Sequence, residues 1–180
     1  MAEPAHELDF ELDVSHLVTE DDTPVDNPFQ DKLMRLLTEP LYSSWNPGFD
    51  FVAMADVGLY YSINENALVP DVLVSTKVKL PDELMKKRNR SYFVWEYGKV
   101  PDLVIEIVSN KEGGELTSKR DGYLERHVPF YVVFDPQLLV SDRQLRCFEY
   151  SPSGYVEMVQ PFFSLLGLGL TLWKGEYETY

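Results

Sequence analysis

Glu106 is the residue in this sequence that most needs a chemical explanation. It stands within Pro101-Asp-Leu-Val-Ile-Glu-Ile-Val-Ser-Asn110, a run whose apolar, β-branched composition predicts a central strand. Side chains alternate across a strand, so Asp102, Val104, Glu106 and Val108 share one face while Leu103, Ile105 and Ile107 share the other, and both faces read as buried. A carboxylate in the middle of such a strand carries a desolvation cost unless it is paired, protonated or coordinating a metal. A second acid, Asp71, opens another short apolar run, Pro70-Asp-Val-Leu-Val-Ser75, and is placed at the mouth of a strand. Downstream, Leu116, Lys119, Tyr123 and Leu124 fall on one face of a helix predicted over about 115–127, which makes Lys119 and Tyr123 neighbours.

The surrounding elements are those of one α/β domain. Asn27 is a good N-cap and Pro28 suits the first helical position; Phe29, Leu33, Leu36 and Leu37 then recur at helical spacing, so a helix is predicted over about 28–39, stopped near Pro40. The segment FVAMADVGLYYSI, residues 51–63, reads as strand material bent near Asp56 to Gly58, and Asn64-Glu65-Asn66 as a turn. Residues 76–92 interrupt the pattern with Pro81 and the basic run Lys86-Lys-Arg-Asn-Arg90, an exposed excursion between strands. Pro129 to Phe134 reads as a strand ended by Asp135-Pro136, and residues 145–160 as a hairpin around the turn Ser151-Pro-Ser-Gly154. Helix, strands, helix, strand in this order predict a mixed central β-sheet flanked by helices, with an extra C-terminal β-hairpin.

Composition limits the function classes. The formal charge is −14, which opposes nonspecific binding to a phosphate backbone. Much of it is local: residues 1–26 hold nine Asp or Glu and no Lys or Arg, leaving 21 acids against 16 bases in the rest. Residues 1–25 therefore read as an acidic N-terminal arm and 26–180 as the folded domain. The single cysteine, Cys147, excludes an internal disulfide framework and fits a reducing, cytoplasmic setting. No stretch has the length of a membrane span or the pattern of a signal peptide. The three histidines lack zinc-ligand spacing with Cys147, and no nucleophile elbow or phosphate-binding glycine loop is present.

The series VPDVLVS, PDLVIEIVSN, KRDGYLERHVPFYVVFDP and GLGLTLW, spread over residues 28–173, resembles the large bacterial family carried under the name putative restriction endonuclease, within the PD-(D/E)XK nuclease superfamily. The resemblance implies a restriction-endonuclease-like fold and a divalent cation, Mg²⁺ or Mn²⁺, held by Asp71, by Glu106 and by the backbone carbonyl of Ile107. Mg²⁺ prefers a few hard oxygen ligands and keeps several waters, and oxygen donors from adjacent strands suit it. One position departs from the strict motif: its lysine should follow the second acid by two residues, and Val108 stands there. Lys119 matches the lysine that family members show before the tyrosine, and from its helix it could orient water or stabilise charge on phosphate.

Asp71, Glu106 and Lys119 are thus the catalytic candidates, with Asp71, Glu106 and Ile107 as metal ligands. The expected activity is hydrolysis of DNA phosphodiester bonds by an endonuclease, and a homodimer is one arrangement the resemblance implies, since two strands need two cuts. The missing lysine and the acidic surface favour an alternative, a nuclease-fold module that binds or regulates without cutting. The weak positive charge suits a third possibility, a small phosphorylated or nucleotide substrate, better than long duplex DNA. Tyr123 and Tyr131 read as packing aromatics, Asp102 and Asp135 as strand boundaries, and the basic run as either a phosphate contact or a solubilising loop.

Overall fold

A computed structural model describes residues 12–17 and 27–175. In chain order the elements are α1 (Pro28–Ser44), β1 (Phe51–Ala55), β2 (Leu59–Tyr60), β3 (Val72–Thr76), a 3-10 turn (Lys87–Asn89), β4 (Tyr92–Phe93), α2 (Val94–Tyr97), β5 (Leu103–Ile107), α3 (Ser118–Glu125), β6 (Phe130–Phe134), β7 (Leu145–Ser151), β8 (Gly154–Glu157), β9 (Phe162–Phe163) and β10 (Leu168–Gly169). Six strands form the main sheet in the order β1-β3-β5-β6-β7-β8. Only β5 and β6 run parallel; the other neighbours are antiparallel. The sheet is therefore mixed, as expected, with its one parallel step bridged by α3.

Strand alternation divides the core into two layers. Leu103, Ile105 and Ile107 face the layer that includes Met34 of α1, while Val104 and Val108 face the layer that includes Tyr123 of α3 and Tyr131 of β6. All five residues of β5 are buried, as are all five of its neighbour β3, so Glu106 lies in an enclosed central strand of the sheet.

The first helix begins as its residues dictate, with Pro28 at its first turn and the Asn27 side chain accepting from the Gln30 N–H at 3.0 Å. It does not stop near Pro40 but continues to Ser44. A proline removes one helical hydrogen bond and crowds the preceding turn, which normally ends or kinks a helix. Here the last turn is held by tertiary contacts that sequence periodicity does not reveal. The Tyr42 hydroxyl donates to the Ala53 carbonyl at 2.9 Å and accepts from the Ala53 N–H at 2.8 Å, and its ring stacks on Phe51. Since β1 is an edge strand, this one side chain both anchors the helix end and occupies a backbone pair that would otherwise stand open.

The bend after β1 falls at Asp56, in the left-handed region at φ 53°. Most of the acidic arm lies outside the described residues. Within it, Val14 and Leu17 are buried with Tyr60 and Phe93, and Ser15 accepts through its carbonyl from Lys87 Nζ at 2.6 Å. Part of the basic run is thus engaged in holding this segment, and Lys86 is paired with Glu83. Among the described residues no helix is long and apolar enough to cross a membrane.

Candidate active site

The antiparallel register of β3 and β5 pairs Val72 with Ile105 and Leu73 with Val104. Extending it by one residue sets Asp71, just before β3, opposite Glu106. Directly opposed residues of an antiparallel pair project from the same face, so the two acids meet because one strand begins where its neighbour ends. A main-chain bond fixes the approach: the Ile107 N–H donates to Asp71 Oδ2 at 2.6 Å. Asp71 Oδ1 accepts from Gln30 Nε2 of α1 at 2.5 Å.

Glu106 is fully buried and also has both oxygens engaged. Lys119 Nζ donates to Oε2 at 2.8 Å and the Tyr123 hydroxyl donates to Oε1 at 2.7 Å. Both donors come from α3, one turn apart, because four-residue spacing puts their side chains on one helix face. Val108, where the strict motif has lysine, is buried in the layer between β5 and α3. The ammonium therefore reaches the second acid from the helix lying over that face. Lys119 is about one-third exposed and Asp71 partly exposed, so the open side of the cluster runs past these two residues.

The charges in this cluster oppose one another. Burial, reinforced by the neighbouring Asp71, pushes the Glu106 carboxyl up to about 7 despite the pull of Lys119. Burial also raises Asp71, against the stabilising donors Ile107 N–H and Gln30. Burial alone would lower Lys119, but Glu106, Glu115 and Asp71 together carry it above its ordinary value. In a simple surface ion pair the acid would be lowered. Here the desolvation of Glu106 outweighs the attraction, whereas Lys119, nearer water and facing three acids, stays protonated.

Asp71, Glu106, Ile107 and Lys119 are thus brought together where β3 begins and β5 ends. The residues not singled out beforehand are Gln30 and Glu115; the hydroxyl of Tyr123 has a polar task besides packing. Glu115 is buried, with Oε1 at 3.8 Å from Lys119 Nζ and no hydrogen-bond partner on Oε2 among the described residues. The helix predicted over 115–127 would have put 115, 119 and 123 on one face; α3 begins only at Ser118, and Glu115 meets Lys119 from the turn before it. Tyr131 fixes the same loop by donating to the Glu115 carbonyl at 2.6 Å. Asp102 and Asp135 are structural: Asp102 accepts from Thr76 and pairs with Lys99, and Asp135 accepts from the N–H groups of Leu139, Val140 and Ser141.

Among the described residues no three His, Cys, Asp or Glu side chains group so as to hold a metal ion. The donor set is smaller, two carboxylates and a backbone carbonyl, and it fits a hard cation that retains water rather than one needing a full protein cage. An ionised carboxylate has about four acceptor sites, so one donor on each oxygen leaves capacity for a cation. The formal charges agree as well, because Asp71, Glu106 and Glu115 with Lys119 sum to −2 when all are ionised. An apolar cavity of about 130 Å³ lies on the opposite face, lined by Leu33, Leu37, Ile105, Val132, Leu170 and Trp173 among others. It contains no titratable side chain and takes no part in this chemistry.

The fold is similar to a crystal structure described as a putative nuclease belonging to DUF820 from Anabaena variabilis, with a TM-score of 0.50, 17% identity and coverage of 81% of this chain and 80% of that one. At this identity the likeness is one of fold. No curated protein matches the chain. Residues 9–170 match the Uma2 family, described as "Putative restriction endonuclease", and with nearly the whole chain inside that match, the protein belongs to the Uma2 family.

Proposed function

We propose that this protein is a divalent-metal-dependent endonuclease that hydrolyses DNA phosphodiester bonds. The observation that carries the proposal is the convergence of Asp71 and Glu106 at one end of two neighbouring central strands, joined through the Ile107 N–H, with the Lys119 ammonium on the second acid. In this reading Asp71, Glu106 and the Ile107 carbonyl hold Mg²⁺ or Mn²⁺. The N–H and C=O of one strand residue leave by the same edge, so the Ile107 carbonyl leaves β5 on the side of Asp71. The chemistry such a cation supplies when bound is polarisation of the phosphate and a lower pKa for bound water.

The chain's own residues do the rest. Gln30 and the Ile107 N–H orient Asp71, and the Tyr123 hydroxyl holds Glu106 in one rotamer. Lys119 meets the phosphate as a protonated donor, stabilising the charge that grows on its oxygens; its raised pKa makes it a poor base at neutral pH. The acidic body makes duplex DNA an electrostatically demanding substrate, so cleavage is expected to be sensitive to salt. The test offers linear, supercoiled and single-stranded DNA to the purified protein with Mg²⁺ or Mn²⁺. Cleavage is expected to vanish in Asp71→Ala and Glu106→Ala; if it persists unchanged in both, the assignment is wrong.

One observation favours the other reading, a nuclease fold that binds without cutting. Without a cation, all four carboxylate oxygens accept hydrogen bonds and Glu106 is closed off from water. Calorimetry separates the two: no uptake of Mg²⁺ or Mn²⁺ at millimolar concentration would favour the binding module.

A further inference from the structure

If a divalent cation takes Glu106, the ammonium now resting on that acid needs another place. A half-buried ammonium left beside a bound cation would be repelled by it. Driving the lysine fully into solvent would remove it from the phosphate it is meant to meet. The structure holds a third carboxylate within reach. Glu115 lies four residues before Lys119 in the turn that leads into α3, is 4% exposed, and has an oxygen, Oε2, with no hydrogen-bond partner among the described residues. Buried carboxylate oxygens are costly to leave unsatisfied, so such an atom asks for a donor that arrives in another state. Lys119 Nζ is already 3.8 Å from Glu115 Oε1. A shift of about 1 Å would bring it to charge-assisted hydrogen-bond distance of that oxygen, and a turn of the carboxylate about its last, soft torsion would present Oε2 in its place.

The seat around Glu115 is built. A Cβ on Gly113 would lie 1.9 Å from Glu115 Oε1, so the carboxylate occupies space that only glycine leaves open. The Tyr131 hydroxyl pins the Glu115 carbonyl, so the backbone beneath the carboxylate is held as well.

We propose that Glu115 is the second seat of the Lys119 ammonium: the lysine rests on Glu106 in the metal-free protein and passes to Glu115 when a divalent cation occupies Asp71 and Glu106. Glu115 is then a positioning residue, keeping the ammonium at the edge of the site, and the cluster is neutral in its loaded form. This inference rests on the metal-dependent reading above, and its test is arranged so that the two fail differently.

The test is Mn²⁺ binding by calorimetry at pH 8 to the full chain and to Glu115→Gln, Lys119→Met and the double variant, with folding checked by thermal melts. Loss of a largely buried charge-assisted contact predicts that Glu115→Gln weakens Mn²⁺ binding about tenfold. In the Lys119→Met background the same change should alter affinity less than about twofold, since no ammonium remains to be seated. Gly113→Ala displaces the Glu115 carboxylate without changing any charge, and should reproduce the tenfold loss in the parent chain. Glu115→Asp should recover part of it. Equal weakening by Glu115→Gln with and without Lys119 would make Glu115 a direct or electrostatic partner of the cation and overturn the proposal. Binding that ignores both Glu115→Gln and Gly113→Ala would overturn it and leave the metal reading standing. Absence of any Mn²⁺ binding by the parent chain would overturn both.

Discussion

Replacing Glu106 by glutamine isolates what it costs the fold to ionise an acid with no water around it. In the unfolded chain this group titrates near its ordinary value of 4.5, and in the fold near 7. Between these values the native state holds a proton that the unfolded state has lost. Stability is therefore fully present below about pH 4.5 and declines as pH rises through 7. Each pH unit of that interval is worth about 1.4 kcal/mol, so the decline is on the order of 3 kcal/mol by pH 8. No solvent discount applies, because the carboxyl is completely buried. Lys119 adds no slope here, since its shift lies above its ordinary value of 10.5. Asp71, raised from 3.8, adds a decline in the same sense at the acidic end.

Glutamine keeps the shape of the protonated acid and cannot ionise. Metal-free Glu106→Gln is thus expected to exceed the parent by about 1 kcal/mol at pH 5.5, one unit above the unfolded value, and by a few kcal/mol at pH 8. Urea midpoints at half-unit steps between pH 5.5 and 8, with the m-value checked for constancy, measure this directly. Saturating Mg²⁺ should reverse the parent's trend, because a cation competes with the proton for Glu106 and binds more tightly as pH rises through 7. A parent whose stability is flat over this range, or a glutamine variant that is weaker at pH 8, would show that the carboxyl is not held in a low-dielectric site as described.

Other outcomes follow from the same contacts. Lys119→Met should lower the turnover of DNA cleavage by about 10²-fold or more with little change in KM, the mark of a group that acts on the transition state; single-turnover kinetics at saturating Mg²⁺ provide the measurement. Asp135→Ala removes the acceptor of three backbone N–H groups in the loop after β6 and should cost about 3 kcal/mol in urea denaturation, while leaving Mn²⁺ affinity unchanged. Tyr42→Phe removes the hydroxyl that serves both polar groups of Ala53 on the edge strand; a loss of about 1 kcal/mol and faster amide exchange at Ala53 are expected.

The fold was legible where local patterns and tertiary packing agree. Alternation in residues 102–108 assigned both faces of β5 correctly because a central strand is buried on both sides and its period is fixed by the pleat. The end of α1 was not legible, since what carries the helix past Pro40 is a hydroxyl meeting a strand eleven residues away. The site divided in the same way. Asp71 and Glu106 stood out as acids in apolar runs, and Lys119 as the lysine one turn before a tyrosine. Gln30 did not, because an amide at the start of an amphipathic helix gives no sign that it will reach a loop 41 residues on.

Glu106 occupies its buried position at a cost to stability. An unpaired acid in β5 would be expelled or protonated, and an aliphatic residue of similar size would pack there with less penalty. The structure instead surrounds it with a lysine, a tyrosine and two further acids, so that its charge is neither fully neutralised nor fully exposed. A cluster serving stability alone would match one base to one acid. Three acids around a single ammonium leave a formal −2 that folding by itself does not need, and the deficit equals the charge of one divalent cation. On the metal-dependent reading proposed above, that imbalance accounts for the burial of Glu106 better than either acid taken singly.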